Sequence, residues 1–235
     1  MSTIDRQPAT LPPLVAGQRL DRATFHERYE AMPPGIKAEL IGGVVHMPSP
    51  VGNSHGETAQ NVNGWLFLYK SRTPGVRGAA DATTFLGDES EPQPDALLRI
   101  SPESGGQTRR EGIYIVGAPE LVLEVAGSTR KIDLGPKRRD YERAGVLEYI
   151  VVSLEPAEVH WHVRRDGQLK RDVADADGIH RSSSFPGLWL DPSALVEGDS
   201  TRLIAVLERG LASAEHAAFA ARLAPPRDED PGVIA

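Results

Sequence analysis

The chain has 235 residues, 40% of them hydrophobic, a formal net charge of -7 and no cysteine. That length suits one sizeable domain with extensions, and the missing thiols exclude disulfides, thiolate nucleophiles and cysteine-based zinc sites. The acidic balance argues against a broad, sequence-blind grip on phosphate backbones, which relies on clustered lysine and arginine, but leaves open an enzyme built on acidic metal ligands. No apolar stretch reaches membrane-spanning length, and Met1 to Val15 lacks a basic start followed by an apolar run, so the expectation is a soluble cytoplasmic protein with no membrane partner.

Residues 1–20 carry Pro8, Pro12 and Pro13 among small polar residues and read as an irregular leader. Thr24 is a candidate cap for a short helix through Tyr29 and Met32, ended by Pro33-Pro34-Gly35. Ala38 to Ile41 and Val44 to Met47 flank Gly42-Gly43, the pairing expected of a tight hairpin whose turn needs positive φ. Ser54 to about Lys70 sets Ala59, Val62, Trp65, Leu66 and Leu68-Tyr69 at roughly helical spacing, which predicts a helix packing on the sheet. Strand-like segments follow at Val76, Ala82 to Leu86, Asp95 to Ile100, Leu121 to Ala126 and Leu147 to Leu154, with a polar, glycine-bearing insertion at Ser101 to Gly112. A helix opens at Gly135-Pro136, since proline suits a first helical turn, and Gly145 suits the position just past its end. Glu158 to Arg164 alternates, which predicts a strand with His160 and His162 on a wetter face, and Asp166-Gly167 should turn it into a hairpin with Gln168 to Val173. After Asp191 the chain is alanine-rich, with one helix expected over Leu203 to Leu223 and a mobile Pro/Asp/Glu tail. The division expected is a leader 1–20, a main domain 21–198, a C-terminal helix 199–224 and a tail 225–235. The order of strands and helices favours an α/β (α+β) fold, one mixed sheet with helices on its faces.

The run Leu121-Val122-Leu123-Glu124-Val125-Ala126 places one carboxylate inside a strand that reads as covered on both faces. An ionised carboxylate there costs several kcal/mol unless a cation or several donors compensate. Asp95 opens the preceding strand and lies beside Glu124 if the two pair. On the following helix, Lys137 shares a face with Tyr141 and Ala144 through steps of four and three, so it points at the sheet. Two carboxylates on adjacent strands with one inward lysine can hold a divalent cation and orient a water beside it. Each residue also has a plainer reading: a turn aspartate at Asp95, a buried salt bridge at Glu124, a snorkelling side chain at Lys137.

Pro94-Asp95, then Glu124-Val125-Ala126, then Lys137 with Tyr141 and Ala144-Gly145-Val146-Leu147-Glu148-Tyr149, resembles the Uma2 family of putative restriction endonucleases, in the PD-(D/E)XK nuclease superfamily. Glu39-Leu40-Ile41-Gly42-Gly43 with Pro48-Ser49-Pro50 and His55 is similar to the family's opening, and Phe185-Pro186-Gly187-Leu188 to its close. The superfamily's usual lysine lies two residues after the acid, where this chain has Ala126, so Lys137 would be that lysine relocated to the helix. The resemblance implies a restriction-endonuclease-like sheet with an added hairpin and a C-terminal helix. It also implies a magnesium-dependent (or manganese-dependent) endonuclease acting on DNA. Asp95 and Glu124 would be the metal ligands, with Lys137 and Glu39 as further catalytic groups and His55 and Tyr141 at the substrate. The alternative is a non-catalytic binding or assembly module that keeps the fold. The apolar stripe Leu203, Val206, Leu207 and Leu211 would bury against the domain or a second copy, and a homodimer would suit a cut on both strands.

Overall fold

A computed structural model describes residues 11–50 and 52–224. In chain order the elements are α1 (Arg22–Glu30), the hairpin β1 (Glu39–Ile41) and β2 (Val44–His46), α2 (Asn53–Ser71), β3 (Val76–Ala79), β4 (Thr84–Phe85) and β5 (Ala96–Ile100). There follow β6 (Arg109–Glu111), β7 (Tyr114–Val116), β8 (Leu121–Ala126), α3 (Arg130–Ile132), a π turn (Asp133–Lys137), α4 (Arg138–Ala144), β9 (Glu148–Leu154) and β10 (Ala157–Arg165). The chain closes with β11 (Gln168–Arg171), β12 (His180–Arg181), β13 (Trp189–Leu190), α5 (Pro192–Glu197), α6 (Ser200–Leu211) and α7 (Ala214–Leu223).

Six strands form the central sheet in the order β11-β10-β9-β8-β5-β3. β8 and β9 run parallel through the α3–α4 crossover, and the other neighbours are antiparallel. A crossover puts helices on a parallel pair, which is why every residue of β8 is buried. On one face Leu121, Leu123, Val125, Ile150, Val152 and Trp161 pack with α2, α5, α6 and α7. On the other, Val122, Ala126, Tyr149 and Val151 pack with Tyr141 and Val146. The expected hairpin is present, with Asp166 and Gly167 both at positive φ in its turn, and it extends the main sheet at its edge.

Several expectations are corrected. The described part of the leader, residues 11–20, is irregular as expected but anchored: Leu14 is buried, and Gly17 and Leu20 donate backbone hydrogen bonds to Val45 and Gly43. Residues 1–10 and the expected mobile tail from 225 lie outside the described residues. Asp21 rather than Thr24 caps α1, its carboxylate accepting from the Thr24 amide. The helix after β8 starts at Arg130, not at Pro136, and the chain passes through the proline in the π turn. Proline supplies no N–H to the ladder, and the wider turn accommodates that missing donor without ending the helix. His160 and His162 are buried rather than wet: the Arg171 guanidinium lies on His160, and the Tyr149 ring stacks on His162. The C-terminal segment is two helices, since Ser213 stops the first and caps the second through the His216 amide. Leu203, Val206 and Leu207 are covered by the chain's own core, so the stripe is an intrachain seam and gives no support to a dimer. Among the described residues no helix is long and apolar enough to cross a membrane.

Candidate active site

The carboxylate in β8 and the aspartate before β5 come together through register. Ala96 pairs with Leu123 in the antiparallel β5–β8 ladder, so Asp95, one residue earlier, continues opposite Glu124. Cross-strand partners hold their Cβ atoms about 5 Å apart, close enough for two carboxylates to share one ion. Asp95 is further fixed by its Oδ2, which accepts from the Val125 amide at 2.6 Å.

Lys137 lies over the pair from the π turn. Its Nζ stands 3.0 Å from Glu124 Oε1, 3.0 Å from Glu39 Oε2 and 3.8 Å from Asp133 Oδ1. The lysine therefore faces the sheet as its helical phase requires, although Asp95 is not among its ion-pair partners. Glu39 arrives from the β1–β2 hairpin, whose two-residue turn places Gly42 at φ 56° and Gly43 at φ 72°, a backbone that glycine adopts freely. The hairpin is tied to the segment before β5: Glu91 N donates to Leu40 O at 2.8 Å, and Gln93 N donates to Glu39 Oε1 at 2.6 Å. One oxygen of Glu39 thus holds the backbone and the other holds the lysine.

Tyr141 is fully buried and its hydroxyl donates to Glu124 Oε1 at 2.8 Å. Tyr141, expected at the substrate, thus lies beneath Glu124, and its hydroxyl contacts that carboxylate. His55, near the start of α2, sits in the cleft with Nε2 3.5 Å from Asp95 Oδ2. Asp95, Glu124, Lys137, Glu39 and His55 line a cleft of about 740 Å³, together with His46, Gln93, Ser128, Thr129 and Asp133.

The electrostatics follow from three acids, Glu124, Glu39 and Asp133, around one buried amine, with Asp95 beside Glu124. Burial, the largest influence, would lower the pKa of Lys137, but Glu124, Glu39 and Asp133 outweigh it and hold it above its ordinary value, so the amine stays protonated. Burial pushes the Glu124 carboxyl up, against the pull of Lys137 and with the push of Asp133, Asp95 and Glu39. Burial also raises Asp133 to about 6. His55 is raised, first by its hydrogen bond to Asp95. His46 is lowered, first by burial. A cluster with more carboxylates than cations attracts a further cation.

The donor set fits a hard divalent cation. Contacts within the protein fall on Glu124 Oε1 and on Asp95 Oδ2, leaving one oxygen of each carboxylate for a ligand. The buried Asp133 Oδ2 also has no hydrogen-bond partner among the described residues. No three His, Asp or Glu side chains among the described residues converge as a ready-made metal cage. Magnesium is commonly held by one or two carboxylates with water completing its octahedron, so two in-register acids suffice for it.

Sequence reasoning left Gln93, His46 and Thr129 unremarked; Asp133 also lines the cleft. Gln93 acts through its amide, which carries no side-chain signal. The step of four from Asp133 to Lys137 puts both on one helical face.

Residues 23–193 match the model of a protein family, Uma2, described as "Putative restriction endonuclease". The chain is also similar to a solved structure described as a putative nuclease belonging to DUF820, from Anabaena variabilis ATCC 29413, at 16% identity and a TM-score of 0.57. That match covers 73% of this chain and 97% of the other, and at such identity it speaks to the fold. No curated protein matches.

Proposed function

The chain belongs to the Uma2 family of putative restriction endonucleases, and from that membership and the cleft we propose a divalent-metal-dependent endonuclease that hydrolyses DNA phosphodiester bonds. The observation that carries the proposal is the in-register pair Asp95 and Glu124 beneath the Lys137 amine, 3.0 Å from Glu124, at an open cleft. Asp95 and Glu124 would hold Mg2+, or Mn2+, through the oxygens that the protein leaves free. When bound, the ion supplies Lewis-acid stabilisation of negative charge on the phosphate. Lys137 is held protonated, so it cannot serve as a base; it donates N–H bonds that orient the attacking water and the phosphate oxygens. Glu39 and Tyr141 fix that geometry, Glu39 by gripping the amine and Tyr141 by gripping Glu124. His55, made more basic by Asp95, is a donor at the cleft wall facing the phosphate or the leaving oxygen.

A titration with Mg2+ followed by calorimetry, alongside nicking of supercoiled plasmid, tests the reading. Wild type should bind the ion and nick DNA, while folded Asp95→Ala and Glu124→Ala variants should lose both. Retained cleavage in either variant removes that carboxylate from the mechanism. The second reading, a non-catalytic module retaining the fold, draws on the fact that Lys137 already pairs Glu39 and Glu124, which satisfies the buried charge as a structural network would. Absence of any binding heat and of nicking would favour it.

A further inference from the structure

The face of the sheet that carries Glu124 continues outward into a group of cationic side chains that the cleft does not use. In the register of the parallel β8–β9 pair Glu124 lies opposite Val151, and Val151 lies opposite His160 on β10. Two strand spacings separate the acid from that histidine, about 10 Å. At that distance Arg171 Nη1 on β11 donates to His160 Nδ1 at 2.6 Å. Arg130, in the first turn of α3, donates through Nε to Ser153 Oγ at 3.0 Å, on the strand whose next residue, Leu154, lines the cleft. Arg138 closes the group from the first turn of α4, its Nη1 donating to Leu169 O at 3.0 Å.

His160 and His162 lie beneath these arginines and are both pushed down, first by burial, His162 to about 4. At neutral pH they are uncharged and the positive charge comes from the guanidinium groups. Two acids face them: Glu142 Oε2 lies 4.0 Å from Arg138 Nη1, and Glu158, 42% exposed, takes Arg171 Nη2 at 2.6 Å and stands 3.3 Å from His160 Nε2. The Arg171–Glu158 pair is exposed, so its energy is small and a phosphate can replace the carboxylate. On the other side of the cleft, the groove shared through Ser54 and Leu154 is lined by Glu57, Glu155 and Glu197 and, among the described residues, by no lysine or arginine. Lys37, which also lines the cleft, is paired with Asp81 at 2.9 Å, so the arginines over α3 and β10 are the cations beside the cleft that this groove does not match.

Resting on the nuclease reading, we propose that Arg130, Arg138 and Arg171 form a track for the phosphodiester backbone. In this arrangement the strand being cut leaves the cleft over α3 and β10 and away from α2 and α5. Guanidinium groups bind phosphate through paired N–H donors, and Arg171 sits on His160, two strand spacings from Glu124, so it would take a phosphate flanking the one at the cleft. The acidic chain thus gains a local grip without a broad basic surface.

The test is fluorescence anisotropy with a labelled duplex of about 20 base pairs in EDTA, at several salt concentrations, on the full chain. The double variant Arg130→Gln with Arg171→Gln should weaken binding and reduce the slope of log K against log salt by roughly 1.8, about 0.9 for each phosphate no longer neutralised. Glu158→Gln should tighten binding, because it frees Arg171. Arg209→Gln, an exposed cation on α6 across the sheet, should change nothing beyond error. Circular dichroism checks that the double variant is folded, and Glu158→Gln gives a reading that does not depend on removing an arginine. An unchanged slope in the double variant, with wild type still binding and nicking DNA, overturns the track and leaves the nuclease reading standing. A wild type that neither binds nor cuts DNA overturns both.

Discussion

Replacing Lys137 by methionine keeps most of the side-chain volume and removes the one cation among Glu39, Glu124 and Asp133. Each of the two ion pairs at 3.0 Å is worth about 5 kcal/mol in Coulomb energy at an effective dielectric near 20. Much of that is offset by the cost of burying the charges, and removal of one partner from a buried pair costs about 3 to 5 kcal/mol net. For a chain of this length that corresponds to a fall of roughly 6 to 20 °C in Tm. Lys137 is the main influence that lowers the Glu124 and Asp133 pKa values against burial, so its loss should raise both further. Protonated acids no longer need the lysine, and the penalty should therefore shrink as pH falls from about 8 to about 5. Divalent ions should stabilise the variant more than wild type, because a cation replaces the missing charge and no ammonium repels it. Thermal unfolding at about pH 5 and about pH 8, with and without Mg2+, together with plasmid nicking, reads all three effects. Cleavage should be lost while metal binding survives. A Tm within about 2 °C of wild type at the higher pH, or wild-type nicking, would refute the account of Lys137 as the cation that holds these acids and acts on the water.

Asp133→Asn should raise stability at mildly alkaline pH. Its carboxyl is held up at about 6 against an ordinary value of 3.8, so the folded state binds the proton more tightly, and the cost of ionising it is fully present above about 6 and absent below about 4. The gain should approach roughly 3 kcal/mol at about pH 7.5 and vanish near pH 4; a loss of stability at the higher pH would show that Asp133 is held as a charge for Lys137. Leu207→Ala, at a fully buried position of the intrachain seam, should cost about 2 to 5 kcal/mol in urea unfolding and leave the mass in light scattering unchanged. A change in oligomeric state on this substitution would return the stripe to an interface role.

The site was partly legible because its signals are local. Glu124 stands in an apolar run, and burial of such a run obliges its carboxylate to find a partner, whatever the fold. The phase of Lys137, Tyr141 and Ala144 follows from helical geometry, and both the glycine hairpin and the Asp166-Gly167 turn follow from backbone sterics. None of these depends on what lies across the molecule. The rest did depend on it. That Glu39 completes the lysine's coordination comes from a hairpin tied to the backbone of Gln93, 54 residues away in sequence, and no spacing encodes a contact between separate segments. The alternation at His160 and His162 marked one face correctly but could not say whether that face met water, because the cover is supplied by side chains of other strands, Arg171 on β11 and Tyr149 on β9. Pro136 looked like a helix start because its missing N–H is tolerated there; packing of Asp133 and Lys137 against the sheet instead held the helix through the proline as a π turn. The alanine-rich end was expected as one rod, yet Ser213 found an amide to cap and the two halves folded back on the core. Local chemistry thus determined which side chains needed partners, and the tertiary structure decided which partners they met, since pairing energies between distant segments appear only once the chain has brought them together.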